Sequence, residues 1–239
     1  MKTLMLIKSF IYRIYGFLVA FIVAFLITGS FTASLSIGIV ESLVKIVTYY
    51  WFDLVWNKFT RGKYKPAVIW LTGLSGSGKT TIANEIFKKL KEKDVPVMLL
   101  DGDEVRRVIK HTGFDEASRK QHNRNVGYIS HLFEKQGNIV IVSLISPYKD
   151  TRDECRKMCD NFVEVYVNTP LEECERRDVK GLYKSFRDGK VKDLTGLTPN
   201  APYEKPDMAE IEINTINNSV EECAEEIIKY LTNHKKPSV

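Results

Sequence analysis

Apolar positions along the 239 residues fall into two regimes. From Tyr15 to Thr28 the chain is almost wholly apolar (YGFLVAFIVAFLIT), and a second apolar run extends from about Leu35 to Trp56, interrupted by Glu41, Lys45 and Asp53. Gly29 to Ser34, between them, reads as an uncharged turn. A bilayer core of about 30 Å takes about 20 helical residues, and each run reaches that length only with its flanks. The pattern predicts a transmembrane helical hairpin in which Glu41 and Lys45, four residues apart, share a face and neutralise each other. A pair of this kind faces a partner helix or water rather than lipid. An interfacial amphipathic hairpin and a buried pair of soluble helices fit the same pattern. A cleaved signal peptide fits less well, because no small-x-small site precedes the second run.

Beyond residue 66 the period changes. AVIWLT (67–72), VPVMLLD (95–101), NIVIVSLI (138–145) and FVEVYVN (162–168) are short apolar runs of buried-strand type. Helices are expected after the first of them, around Glu104–Lys110, around Ser118–Gln136, from about Asp150, and over Ser219–Leu231. Alternation of this kind predicts an α/β fold, a parallel sheet flanked by helices. Ligands then gather beyond the carboxyl ends of the strands.

Directly after the first strand comes Gly73-Leu74-Ser75-Gly76-Ser77-Gly78-Lys79-Thr80-Thr81, the G-x-x-x-x-G-K-[ST] pattern between a strand and a helix. Glycines let backbone N–H groups turn inward around phosphate oxygens, and the helix N-terminus adds its dipole. Lys79 can reach the β- and γ-phosphates of ATP, and the Thr80 hydroxyl can complete a Mg²⁺ shell. Asp101 and Asp103 lie at the end of the second strand. One can orient Mg²⁺ or its waters, and the other can take a proton from an attacking hydroxyl; alternatively Asp103 caps the helix that begins EVRRVI. The third strand ends in Ser146 with no acid in the usual Walker-B place, which points away from motor ATPases and GTPases and toward small-molecule kinases. The stretch from Cys174 to Lys184, with Arg176, Arg177, Lys180 and Gly181, reads as a cationic lid or as a solvated charged helix.

Charge and cysteine content narrow the field. Residues 1–60 carry five Lys/Arg and two acids, residues 61–239 thirty and twenty-eight, so neither part is a basic nucleic-acid binder. All eight prolines fall after residue 60. Cys155, Cys159, Cys174 and Cys223 form no CxxC, and His111, His122, His131 and His234 lack metal-ligand spacing, so reduced thiols and a cytosolic setting are expected. Lys2, Lys8 and Arg13 precede the hairpin and Lys58, Arg61, Lys63 and Lys65 follow it, so both ends are expected in the cytoplasm, with the kinase part facing it from the inner membrane. The expected organisation is a hairpin over 1–60, a basic linker over 61–66 and a P-loop domain over 67–239.

Two resemblances add to this reading. KSFIYR, ITGS, IVESLVKIVTYY and VWNKF, across residues 5–60, resemble DUF2061, a family of predicted two-helix membrane domains that implies no activity. WLTGLSGSGKTT, LLDGDEVR, GFDEASRK, SLISPYKDTRDECR, EVYVNTPLEECERRDVKGLYK and TGL…APYEKP, across about 66–215, resemble adenylylsulfate kinases. That resemblance implies transfer of the γ-phosphoryl of ATP to the 3′-hydroxyl of adenosine 5′-phosphosulfate (APS), with ATP and Mg²⁺ required and homodimers common. It implies that Asp101 and Asp103 belong to the acceptor and metal site, with Asp103 the better base. Arg106 and Arg119 are then expected on the acceptor's sulfate and phosphate, Phe114 against its adenine, Ile145 and Ser146 in its pocket, and Lys180 in the lid. Ser146 also matches a serine described in the family as a phosphoserine intermediate, a step that in-line transfer does not need.

The chain departs from the family on the acceptor side. Where the family reads DRxENIRRxG, this chain has Ser118-Arg119-Lys120-Gln121-His122-Asn123-Arg124-Asn125-Val126-Gly127, so His122 replaces an acceptor-holding Asn and Asn125 an Arg. Leu194 stands where the family has the Phe that would stack opposite Phe114, losing about 0.5–1.5 kcal/mol of aromatic stacking. Two alternatives follow: the same kinase chemistry on another acceptor, such as a cytidine diphosphoramidate, or a catalytically silent nucleotide-binding module.

Overall fold

The computed structural model describes residues 16–61, 64–109 and 113–233. Lys2, Lys8, Arg13, Lys63, His111, His234 and the KSFIYR stretch lie outside the described residues. Contacts divide the chain into two compact units, Met1–Lys63 and Tyr64–Val239.

In the first unit, helix α1 (Gly16–Thr28) and helix α2 (Phe31–Arg61) are joined by two residues, not by the six-residue turn expected from the sequence. The cause is local hydrogen bonding. The Thr28 hydroxyl donates to the Ala24 carbonyl at 2.8 Å and accepts from the Ser30 amide at 3.3 Å, closing α1. The Ser30 hydroxyl then accepts from the Ala33 amide at 3.4 Å, an N-cap that starts α2 four residues before Leu35. Gly29 supplies the left-handed residue between them, φ 65°. The two helices pack through Phe17 against Gly38 and through an edge-on Phe21–Phe31 pair 5.4 Å apart. Glu41 and Lys45 form the expected ion pair. Phe31–Phe52 is long and apolar enough to cross a bilayer, whereas Gly16–Thr28 is shorter.

The second unit is built on a five-stranded, all-parallel sheet in the order β2-β3-β1-β4-β5. β1 (Ala67–Thr72), β2 (Val97–Asp101), β3 (Ile139–Ser143) and β4 (Phe162–Val167) fall on the four expected runs. β5 (Ile211–Ile213) was not expected; its two isoleucines are buried around an exposed Glu212. Alternation along β1 separates the two faces of the sheet. Ala67, Ile69 and Leu71 pack under α3 (Lys79–Lys91) and α9 (Val220–Asn233), whereas Val68 and Trp70 pack under α5 (Glu116–Lys135) and α6 (Lys149–Met158). Trp70 is fully buried with its ring centroid 5.6 Å from that of Phe162. Trp70→Ala should cost about 3–5 kcal/mol of stability, read as a lowered denaturation midpoint in urea.

Three further helices shape the carboxyl end of the sheet: α4 (Gly102–Val108), α7 (Leu171–Arg177) and α8 (Leu182–Arg187). α4 begins at Gly102, so Asp103 lies in its first turn. The capping residue is Asp101, whose Oδ1 accepts from the Asp103 amide at 2.9 Å. That corrects the reading of Asp103 as the cap and leaves its carboxylate free of the helix end.

Candidate active site

The phosphate loop occupies the bend from β1 into α3. Gly76 and Gly78 adopt φ 77° and 100°, and a Cβ on Gly76 would lie 2.9 Å from the Cys174 carbonyl oxygen. No other residue combines that conformation with that approach. Neighbouring elements brace the loop: Thr169 donates to the Ser77 carbonyl at 3.0 Å, and the Tyr183 hydroxyl donates to the Ser75 carbonyl at 2.9 Å. Leu74 packs against Cys174, Tyr183 and Leu194. Thr81 is exposed in the first turn of α3.

Lys79 folds back on this loop, donating to the Leu74 carbonyl at 2.6 Å and to Ser77 Oγ at 3.3 Å. Burial lowers its pKa to about 8. A cation is therefore held at the threshold of deprotonation until an anion arrives. ATP should bind with uptake of a proton, and above about pH 8 each further unit should weaken ATP by close to tenfold until the bound-state pKa is passed. Calorimetric titration with ATP between pH 6.5 and 9.5 (about this range suffices) checks it; a flat affinity would show that Lys79 stays charged.

At the base of the loop the Thr80 hydroxyl donates to Asp101 Oδ2 at 3.1 Å and lies 3.1 Å from Ser143 Oγ, the last residue of β3. Threonine hydroxyl and carboxylate are hard oxygen donors suited to Mg²⁺, which keeps several waters and takes its remaining ligands from phosphates. Among the described residues no group of three His, Cys, Asp or Glu side chains could hold a metal alone. The donor set thus fits a Mg²⁺ shared with a nucleotide. Ser143 was overlooked in the sequence because the strand was expected to run on to Ser146, whereas β3 ends at Ser143.

Asp103 is ion-paired with Lys180, both side chains about half exposed. Lys180 stands in the turn between α7 and α8, where Asp178 and Gly181 take φ 25° and 64°. Among the described lid cations, Lys180 is the one paired with Asp103. Arg176 and Arg177 both pair with Glu173, and Arg177 also donates to the Thr215 hydroxyl at 2.9 Å and the Thr215 carbonyl at 3.1 Å, beside Gly78. Of the three cations expected in the lid, two are thus paired with Glu173, one turn earlier on α7.

The remaining acceptor residues divide into those gathered at the site and those turned inward. Arg106 donates to the Gly113 carbonyl at 2.9 Å and lies 5.0 Å over the exposed Phe114 ring. Arg119 donates to the Phe114 carbonyl at 2.5 Å and to the Thr195 hydroxyl. Burial and the neighbouring Arg119 lower the Arg106 pKa. His122 is buried with no side-chain hydrogen-bond partner among the described residues, and burial followed by Arg106 lowers its pKa to about 4, against a smaller opposing effect of the Gly102 backbone. It is a neutral imidazole at pH 7. Ser146 is buried at φ 38°, its hydroxyl accepting from the Trp70 indole at 3.0 Å, and the Ile145 carbonyl accepts from Thr72 at 2.8 Å. Leu194 is buried with Cys174 and Tyr183. These contacts turn the Ser146 hydroxyl and the Leu194 side chain into the protein interior.

Comparison with known proteins matches this arrangement. A family model described as Adenylylsulphate kinase matches residues 65–214, and one described as Predicted membrane protein (DUF2061) matches residues 6–57. The hexameric APS kinase from Thiobacillus denitrificans is similar with a TM-score of 0.53 at 28% identity, over 71% of this chain and 29% of that one. An adenylyl-sulfate kinase of Picosynechococcus sp. is 45% identical over 171 residues, 71% of this chain and 96% of that protein. The structure of the Mycobacterium tuberculosis APS kinase in complex with AMPPNP and APS has a TM-score of 0.65 at 35% identity, over 70% of this chain and 98% of that one. Because the family match runs through every segment of the site, and the last two proteins are matched over nearly their whole length, the chain belongs to the adenylylsulphate kinase family of ATP-dependent kinases.

Proposed function

We propose that this protein phosphorylates the 3′-hydroxyl of APS with ATP, from a membrane anchor. The observation that carries the reading is the division of labour at one end of the sheet. The phosphate loop with Thr80 and Asp101 forms one side, and Asp103 with Arg106, Arg119 and Phe114 the other. ATP places its phosphates on the loop amides, and Lys79 exchanges the Leu74 carbonyl for phosphate oxygens. Thr80 and Asp101 would hold a Mg²⁺, which would supply neutralisation of the phosphate charge. Arg106 and Arg119 hold the acceptor's anionic groups, and Phe114 lies against its base. Asp103 accepts the proton of the attacking hydroxyl as the new O–P bond forms and the bond to the ADP oxygen breaks. Lys180, released from Asp103 by substrate, closes over the transferring group. Nucleotide partners in a relative's crystal (AMPPNP and APS) support both halves of this assignment.

The DUF2061 match and the apolar Phe31–Phe52 stretch support the anchor. With basic residues on both flanks of the hairpin, the kinase unit faces the cytoplasm. Self-association accords with the hexameric relative. A second reading keeps the chemistry and changes the acceptor. It is favoured by His122, a buried imidazole without a side-chain hydrogen-bond partner among the described residues, where the family has Asn.

ADP release by the full-length chain with ATP-Mg²⁺, comparing APS with a cytidine diphosphoramidate, tests the acceptor. Turnover with APS is expected; turnover only with the cytidine compound would move the protein to the second reading, and none with either would favour a silent module. The same assay on residues 61–239 should give equal turnover, and the full chain should sediment with membranes while the shortened one stays soluble.

A further inference from the structure

The largest buried cation of the kinase unit, Arg152, has no part in the mechanism above. Its side chain is 2% exposed, and its three described partners come from three different segments. Nε donates to Glu164 Oε1 on β4 at 2.7 Å, Nη1 to the Ser146 carbonyl at 2.7 Å, and Nη2 to the Glu204 carbonyl at 2.9 Å. A buried guanidinium needs one carboxylate to offset its desolvation. Its other N–H groups need acceptors as well, and here those acceptors are backbone carbonyls of two separate loops.

Both loops line the acceptor side. Ser146 carries φ 38°, a conformation that costs a non-glycine residue of order 1–3 kcal/mol and persists only where surroundings impose it. The impositions are visible: Arg152 on its carbonyl and the Trp70 indole on its hydroxyl. Glu204 is joined to this turn and to the start of α6 through its amide, its carboxylate and its carbonyl. Its amide donates to the Pro147 carbonyl at 2.8 Å, its carboxylate accepts from the Lys149 amide at 2.7 Å, and its carbonyl accepts from Arg152. Next to it the Tyr203 hydroxyl lies 3.0 Å from Thr72 Oγ1, which also donates to the Ile145 carbonyl. Thr195, at the start of this loop, is the partner of Arg119. One buried side chain thus ties together the turn that presents Ile145 and Ser146 and the loop that holds an acceptor arginine in place.

We propose that Arg152 is a positioning residue of the acceptor site, clamping the 145–148 turn to the 195–204 loop so that acceptor binding, and not ATP binding, depends on it. The functional half of this inference rests on the acceptor reading above. Arg152→Lys keeps a cation opposite Glu164 and removes the outer arms. In the full-length chain the KM for APS should rise about tenfold or more, as for loss of charge-assisted hydrogen bonds, with the KM for ATP within about twofold. Amide hydrogen exchange of the ligand-free protein should accelerate over 144–148 and 195–206 and stay unchanged over the phosphate loop. Equal loss of ATP and APS binding, exchange raised throughout the unit, or no change in either readout would overturn the proposal. Should wild-type protein fail to turn over APS, the acceptor reading falls by itself, and the exchange pattern still decides the clamp. If Arg152→Lys does not fold, Tyr203→Phe removes one hydroxyl from the same frame and no bulk. It should raise the KM for APS and 195–206 exchange in the same selective way, and an unchanged variant would count against the clamp.

Discussion

Replacing Asp103 by asparagine lowers kcat for phosphoryl transfer by about 10²–10⁴-fold, the range of a lost general base, and leaves the affinity for ATP within about threefold. The substitution is close to isosteric, and the geometry shows why it isolates one role. The helix-end bond is made by the Asp103 amide to Asp101, so α4 keeps its cap. An asparagine oxygen still accepts from Lys180, so the lid keeps its tether. What disappears is a proton acceptor next to the metal-side carboxylate. A variant with undiminished kcat would transfer the base role elsewhere, and one that lost ATP affinity as well would make Asp103 part of the nucleotide site. The companion change Asp101→Asn should behave differently, because Asp101 both caps α4 and accepts from Thr80. It should raise the Mg²⁺ requirement as well as lower kcat.

The second large effect belongs to Lys79. Lys79→Met should lower kcat/KM by about 10²–10³-fold, as expected on removing one preorganised donor aimed at developing charge. The same variant should be at least as stable as the parent at pH 7. The sign follows from the depressed pKa. A lysine whose pKa falls to about 8 on folding, from about 10.4 in the unfolded chain, binds fewer protons when folded between those values. The charged amine therefore disfavours the folded state below about pH 8, and this penalty diminishes as pH rises toward 10.4. Removing the amine relieves it. Thermal melts of both proteins at pH 7 and 9.5 (about these values suffice) separate the two effects. A lower melting temperature for Lys79→Met at pH 7 would show that the packing of its stem outweighs its desolvation.

Local chemistry was legible in the linear chain where it depends on neighbours in sequence. The strand–loop–helix around Gly73–Thr80 is one case, because glycine conformations and the following helix N-terminus are encoded within about ten residues. The four long strands are another, since runs such as AVIWLT declare themselves by apolar side chains alone. β5 escaped because three residues at a sheet edge carry almost no pattern. The length of α2 escaped because its start is set by the Ser30 hydroxyl rather than by hydrophobicity. In the lid, composition showed three cations; Glu173, spaced three and four residues ahead of Arg176 and Arg177, takes two of them. That spacing was present in the sequence and is the signal that a helical reading of EECERR could have used.

The sequence by itself determined the two-part plan, the phosphate loop, the strand-end position of Asp101, and the ion pair of Glu41 and Lys45, because each rests on spacing within a few residues. Tertiary structure alone decided which cation reaches Asp103, that Ser146 turns its hydroxyl to Trp70, and that Arg152 joins two loops to β4. Lys180 and Asp103 are 77 residues apart, Trp70 and Ser146 76, and Thr72 and Tyr203 131. Across such separations a side chain's partner is fixed by sheet order and by competition among several groups of the same charge, and neither is written in the spacing of residues along the chain.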